Sequence, residues 1–372
     1  MKRSKFVDQL SQGRISRRDA IRGAAAFGVS FALTPKLGQA AEPLTCMEWA
    51  GYDAPAYFDP FMKKHGGAPN FSIFSGEEEA LAKVRAGFAA DVMHPCNYSV
   101  GRFIEAGLTL PIDTSKLSNW NDVFEPLKTA DGVVKNGEVV MVPADWGNSS
   151  VAYRPDLVGD YFKDGESWKI FFDDAFAGKV SMLDDPLALV IGAMVNGAKY
   201  DDSINMVGAQ LDASKEMGQK VVNNSRFLWN NSTEMQQALA SGEIVAAYGW
   251  NDVAKNLAAQ GIPVAYAKPK EGYFTWFCGI SLLNTGKADP ALAYDFIDAW
   301  LSPETGKVLI EGSGYGHANT KSFAASDPAA VKAMGITDPV EHMKSAILFK
   351  TQTNDVVVAQ TAVWEELKAM KL

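Results

Sequence analysis

The residues with the most chemical potential are seven aromatics that fall where strands should end: Trp49, Tyr52, Tyr98, Trp146, Trp250, Trp276 and Tyr315. A ring face attracts a cation by about 0.5 to 2 kcal/mol, and several rings together enclose an alkylammonium group. Carboxylates stand beside them in the chain: Asp145 precedes Trp146, Asp252 follows Trp250 by two residues, and Asp184 and Asp185 close another strand. A desolvated ammonium needs such a partner and its hydrogen bonds. Asp184-Asp185-Pro186 also reads as a helix start with proline in the first turn, so one aspartate is expected to cap and the other to face the cleft. The chemistry implied is capture of a small organic cation.

Signatures for other chemistry are missing. His65, His94, His317 and His342 are scattered, with no metal-ligand spacing, and neither a dinucleotide turn, a P-loop nor a nucleophile elbow occurs. No cofactor or metal is expected. A carboxylate pair for glycoside hydrolysis carries almost no specificity in a chain with 44 Asp and Glu. A secreted hydrolase is therefore the weaker reading.

The elements that must position these side chains alternate from Leu44 onward. Strands are expected at 44–49, 70–74 and 91–94, with helices at 55–65, 77–86 and 98–106. Such alternation with short connections predicts an α/β lobe, a mostly parallel sheet covered by helices. Ligands of open α/β sheets bind beyond the carboxyl ends of the strands, where the aromatics fall. A hairpin with Asn136-Gly137 at its turn suggests a first crossing near Trp146. A second α/β segment follows, with a helix at 168–176 and strands at 151–153, 179–183, 244–248 and 263–267. The apolar run 272–283 looks like the return. The expected organisation is two lobes: 41–146 in the first, 147–270 in the second, 271–312 back in the first, and 313–372 packing on the second. At 372 residues the chain has the length for two cores.

Residues 1–40 carry eight basic and two acidic side chains, a net of +6, which leaves −15 of the total −9 on the remainder. So acidic a body is a poor partner for nucleic acid. The basic start leads into the apolar run 23–33 and the small pair Gly38 and Ala40. That run is too short to cross a bilayer, which takes about 20 residues, so 1–40 reads as a removable signal. Ser16-Arg17-Arg18-Asp19 resembles a twin-arginine export signal. The expected location is the periplasm. Cys46, Cys96 and Cys278 allow at most one disulfide.

The segments EWAGY (48–52), ADVMHPCNY (90–98), VPADWG (142–147), LDDP (183–186), YGWND (248–252), YFTWFCGISLL (273–283) and SGYGHANT (313–320) together resemble the periplasmic spermidine/putrescine-binding proteins of ABC transporters. The likeness runs in order over essentially the whole chain after the signal. It implies a two-lobe binding-protein fold with the ligand in the cleft, a monomer, no enzymatic activity, and delivery of a small amine to an inner-membrane permease. Amine-binding aromatics are then implied at Trp49, Tyr52, Tyr98, Trp250, Trp276 and Tyr315, a first-lobe contact at Cys96, and the helix-start aspartate at Asp185. Two departures remove charge: Ala188 and Cys278 stand where the family has acids. An ammonium left unpaired in a closed cleft costs several kcal/mol. The losses therefore predict a ligand with one ammonium group, with Asp145 as a substitute acid. A zwitterion such as γ-aminobutyrate is the alternative, and Arg226 is the candidate clamp for its carboxylate.

Overall fold

Eight strands of the computed structural model form one continuous hydrogen-bonded path. They are β1 (Thr45–Trp49), β2 (Asn70–Phe74), β3 (Val92–Met93), β4 (Val142–Tyr153), β5 (Val180–Leu183), β6 (Ser225–Trp229), β7 (Ala246–Trp250) and β8 (Phe274–Leu283). The structure describes residues 42–371 except Ser75, Gly335, Thr337 and Ala346, so the export signal expected at 1–40 lies outside the described residues. The path runs β2-β1-β3-β8-β4-β7-β5-β6. β1, β2 and β3 are mutually parallel, and so are β5, β6 and β7. Between the two triplets lie β8 and β4, antiparallel to each other from Phe274 opposite Ser149 to Ile280 opposite Val142. This is the expected two-lobe α/β architecture, with the two crossings side by side.

Strand alternation distributes the core. In β1, Cys46 faces a cluster with Phe58, Phe296 and Trp300, and its neighbour Met47 faces Phe74, Leu81 and Phe103 on the other side. Successive side chains on a strand point to opposite faces, so the first lobe needs, and has, apolar cover on both. The second lobe packs around Trp168, Leu189, Val222 and Tyr248. Its helix Leu187–Val195 (LALVIGAMV) is apolar all round and therefore belongs inside. Ala188 is fully buried there.

Several expectations are corrected by the packing. Val142–Tyr153 is a single 12-residue strand, rather than a hairpin arm followed by a separate strand at 151. The hairpin itself is short, Val134–Lys135 against Glu138–Val139, with Asn136 at φ 53° and Gly137 at φ 84° in its turn. The stretch 168–176 forms two 3-10 turns, because Asp173 accepts from the Ala175 amide and restarts the chain. β6 carries no clear alternation and was not anticipated. The last segment divides between the lobes rather than packing on the second alone: Ala318, Ile336 and Met343 join the cluster of β1, and Phe349, Trp364 and Leu367 join that of the second lobe. On β8, likewise, Phe274 and Trp276 belong to the second cluster and Phe277 and Ile280 to the first.

Cys96, in the loop after β3, is disulfide-bonded to Cys278 of β8 across a sequence separation of 182, and Cys46 is free and buried. Closing so long a loop restricts the unfolded chain, typically by about 2 to 4 kcal/mol. The double variant C96S/C278S is expected to lose about that much unfolding free energy in a urea titration. Coincident titrations of oxidised wild type and variant would contradict the assignment.

Candidate ligand cleft

A cavity of about 580 Å³ opens where the carboxyl ends of the two parallel triplets face each other across β4 and β8. This lies within the range of about 300 to 1,000 Å³ usual for small-molecule sites. Trp49 and Tyr52 reach it from the end of β1, Glu77 and Glu78 from the helix after β2, and Cys96 and Tyr98 from the loop after β3. The second lobe contributes Leu183 and Asp185 from the end of β5 and Trp250 from the end of β7. Asp145 and Ser149 of β4, Trp276 and Cys278 of β8, and Tyr315 from a later loop complete the wall.

Each ring is held by a second contact. The Trp49 indole donates to the His94 carbonyl at 2.8 Å and lies against Phe74. Trp250 meets Trp229 edge to face, with centroids 5.3 Å apart, and Trp276 meets Tyr315 in the same way at 5.0 Å. Tyr98 packs edge-on against Phe349 and remains 38% exposed, so its free face is available to a guest. Opposite Trp276 in the strand register is Gly147, where a Cβ would collide with the indole. The ring lies flat on β4 only because that position is glycine. Asn251 fixes the Tyr315 loop, donating to the Gly314 carbonyl at 2.5 Å and accepting from the Asn148 amide at 2.9 Å.

Two of the expected site residues lie elsewhere. Trp146 is fully buried, stacked against His342 and Phe323, and its indole donates to the His317 carbonyl at 3.1 Å. The cause is strand parity: Asp145 and Ser149 face the cleft, so Trp146 faces the first-lobe core. Asp252, in the first turn of the helix Asn251–Ala258, sits behind Tyr315 and accepts from the Asn256 side chain at 3.3 Å. Burial raises its carboxyl, and the Tyr315 hydroxyl opposes this. The expected division of Asp184 and Asp185 is also different. Asp185 both lines the cavity and accepts from the Leu187 amide at 2.8 Å, whereas Asp184 turns away to bind Lys368 and the Trp364 indole, each at 2.8 Å. Cys96 and Cys278 line the wall as a disulfide rather than as separate contacts. Arg226 is exposed and paired with Glu243 at 3.0 Å, away from the cleft.

Under the cleft floor lies a buried ion cluster that the sequence did not reveal. His94 is fully buried, with Nδ1 2.8 Å from Glu48 and Nε2 2.8 Å from Asp145. Burial disfavours the imidazolium, but the two carboxylates outweigh it and push His94 up to about 10. Both ring nitrogens then donate. Burial raises Glu48 despite the His94 charge. The Tyr52 hydroxyl donates to the other oxygen of Asp145 at 2.7 Å, so Asp145 meets the cavity with its charge largely spent on His94 and Tyr52. Among the described residues no cation forms an ion pair with Asp185, and burial raises its carboxyl. Glu77, which sequence reasoning missed, is also raised by burial, to about 7. Its only sequence signal is its place at the first turn after a strand end.

Residues 56–336 match the family model for bacterial extracellular solute-binding protein. The chain belongs to that family. It is 27% identical over 339 residues to the putrescine-binding periplasmic protein SpuD of Pseudomonas aeruginosa, covering 87% of this chain and 91% of that protein. Among solved structures, the spermidine/putrescine substrate-binding protein PotD of Streptococcus pneumoniae superposes with TM-score 0.73 at 18% identity, covering 88% of this chain and 98% of that one. A structure described as a GABA receptor superposes with TM-score 0.67 at 18% identity, covering 88% and 97%. These two likenesses show the fold. Among the described residues, no helix is long and apolar enough to cross a membrane.

Removing the His94 cation leaves two carboxylates buried against each other, a loss of about 3 to 5 kcal/mol for a broken buried pair. H94Q is expected to lose that much stability in chemical denaturation. Because the folded-state pKa of His94 lies above its ordinary value, its contribution is full below pH of about 6.5 and is lost as pH rises through about 10. The wild type should therefore weaken toward pH 10 more steeply than H94Q. Parallel stability curves for the two proteins would contradict the charged cluster.

Proposed function

We propose that this solute-binding protein captures a small cationic amine between its lobes and delivers it to an inner-membrane ABC permease, without chemical turnover. The observation that carries the reading is the convergence of Trp49, Tyr52, Tyr98, Trp250, Trp276 and Tyr315, from both lobes, on one cavity that also holds Asp185, with which no cation among the described residues forms an ion pair. A carboxylate raised by desolvation gains most from an incoming ammonium, because the ion pair restores what burial removed. The ring faces add about 0.5 to 2 kcal/mol each for a cation they enclose. The similarity to a putrescine-binding periplasmic protein supports a polyamine-type ligand.

Transport follows from the position of the cleft. A guest touching both triplets has its full set of contacts only when the lobes are closed, so it shifts the open-closed equilibrium toward closure. The acidic body favours encounter with cations in a salt-dependent way. The basic, apolar start with its paired arginines supports export to the periplasm by the twin-arginine route. A zwitterion such as γ-aminobutyrate is the second reading; Arg102 and Lys350 line the same cavity, but each already pairs with an acid, Glu78 and Asp201.

A thermal-shift screen of the mature protein against polyamines, monoamines, γ-aminobutyrate and sugars tests the ligand class. A ligand at 100 times its dissociation constant stabilises by about 2.7 kcal/mol. Amines are expected to score and sugars to be silent. W250A and W276A should each weaken amine binding by more than about tenfold, or about 1.4 kcal/mol, while leaving the fold intact. If affinity survives both substitutions, the aromatic cleft is not the binding site.

A further inference from the structure

We propose that Glu77 is the first-lobe ammonium acceptor of this cleft, held by the Cys96 amide and through it by the Cys96–Cys278 disulfide, so that the ligand carries two cationic groups rather than one. The inference rests on the amine-cleft reading and names a residue that sets its selectivity. It also reverses the single-ammonium expectation drawn from the uncharged Ala188 and Cys278.

Glu77 opens the helix Glu77–Arg85 at the carboxyl end of β2, is 7% exposed, and lines the same cavity as Asp185. Its Oε1 accepts from the Cys96 amide at 2.6 Å. Cys278 faces the cavity from β8 without charge, and its bond to Cys96 brings that amide, and with it Glu77, beside the position where an acid is missing.

The neighbouring cations are already committed. Arg102 is bonded to Glu78, Lys350 to Asp201 at 2.8 Å, and His94 to Glu48 and Asp145. Among the described residues, no cation forms an ion pair with Glu77. The groups around it are the Cys96 amide, the Ser99 hydroxyl, the phenol of Tyr98, and the charges of His94, Arg102, Glu78 and Lys350. Burial raises Glu77 to about 7 even though Ser99, Cys96, Arg102 and His94 favour its charge. Tyr98, Glu77 and Asp185 line the same cavity, and the charges of both carboxylates act on the Tyr98 phenol. Ala188, by contrast, is turned into the second-lobe core and leaves Asp185 as the acid at that end. An ammonium at Glu77 favours the ionised carboxyl, so binding releases a proton near neutral pH and weakens as pH falls below about 7.

The test is calorimetric titration of the mature protein with butane-1,4-diamine and with butylamine. Wild type is expected to prefer the diamine. E77Q should lose at least about tenfold for the diamine, change little for butylamine, and release fewer protons on binding near pH 7. The variant C96S/C278S, checked for folding by circular dichroism, should weaken the diamine selectively in the same direction. If E77Q binds the diamine as wild type does while W250A abolishes binding of both amines, the Glu77 assignment falls and the amine cleft stands. If wild type binds neither amine, both fall together.

Discussion

The antiparallel pairing of β4 with β8 is the constraint on which the rest depends. Both strands run through both lobes, and each parallel triplet hangs from one end of the pair. Their shared face is the cleft floor, so strand parity decides what a ligand meets. Asp145 and Ser149 alternate with Trp146, and Trp276 and Cys278 alternate with Phe277. A shift of one residue in this register would replace the cleft face by core side chains. Irregular pairing between Cys278 and Gly279 marks the point where the pair passes from one lobe to the other. Gly279 fits there because a Cβ would collide with the Val142 carbonyl.

The electrostatics follow from that floor. A charged residue in a closed interior is tolerable only with a partner, and the cleft handles its acids in two ways. Asp145 is neutralised from below by His94 and held by Tyr52, which makes it a rigid structural anion that also fixes an aromatic wall. Asp185 accepts from the Leu187 amide, Glu77 accepts from the Cys96 amide and the Ser99 hydroxyl, and burial raises both. The first kind stabilises the scaffold without a guest. The second kind leaves charge to be completed by one.

Much of the architecture was legible because local patterns carry it. Alternation of strands and helices, the Asn136-Gly137 turn and the apolar run of β8 each depend on neighbours in sequence. The aromatics after β1, β3 and β7 were legible for the same reason, since a strand end is a local event and the carboxyl-end rule places it at the cleft. The failures have physical causes of equal clarity. Trp146 looked equivalent to Trp250, but it sits within a strand and parity sends it into the core. Asp184 and Asp185 are adjacent, and only the packing of the C-terminal helix, with Lys368 and Trp364, decides which of them turns away. Glu77 had no motif, and His94 looked like one of four scattered histidines.

An α/β chain with an acidic body, a basic and apolar first segment, aromatic strand ends and at most one disulfide can be read from the residues alone, because composition and short-range periodicity belong to the chain before it folds. The tertiary structure decided which acids are neutralised and which are left short of a cation. That outcome depends on contacts between residues far apart in sequence, such as His94 with Asp145 or Cys96 with Cys278. Burial, which raises Asp185 and Glu77, exists only once both lobes and their two shared strands have assembled.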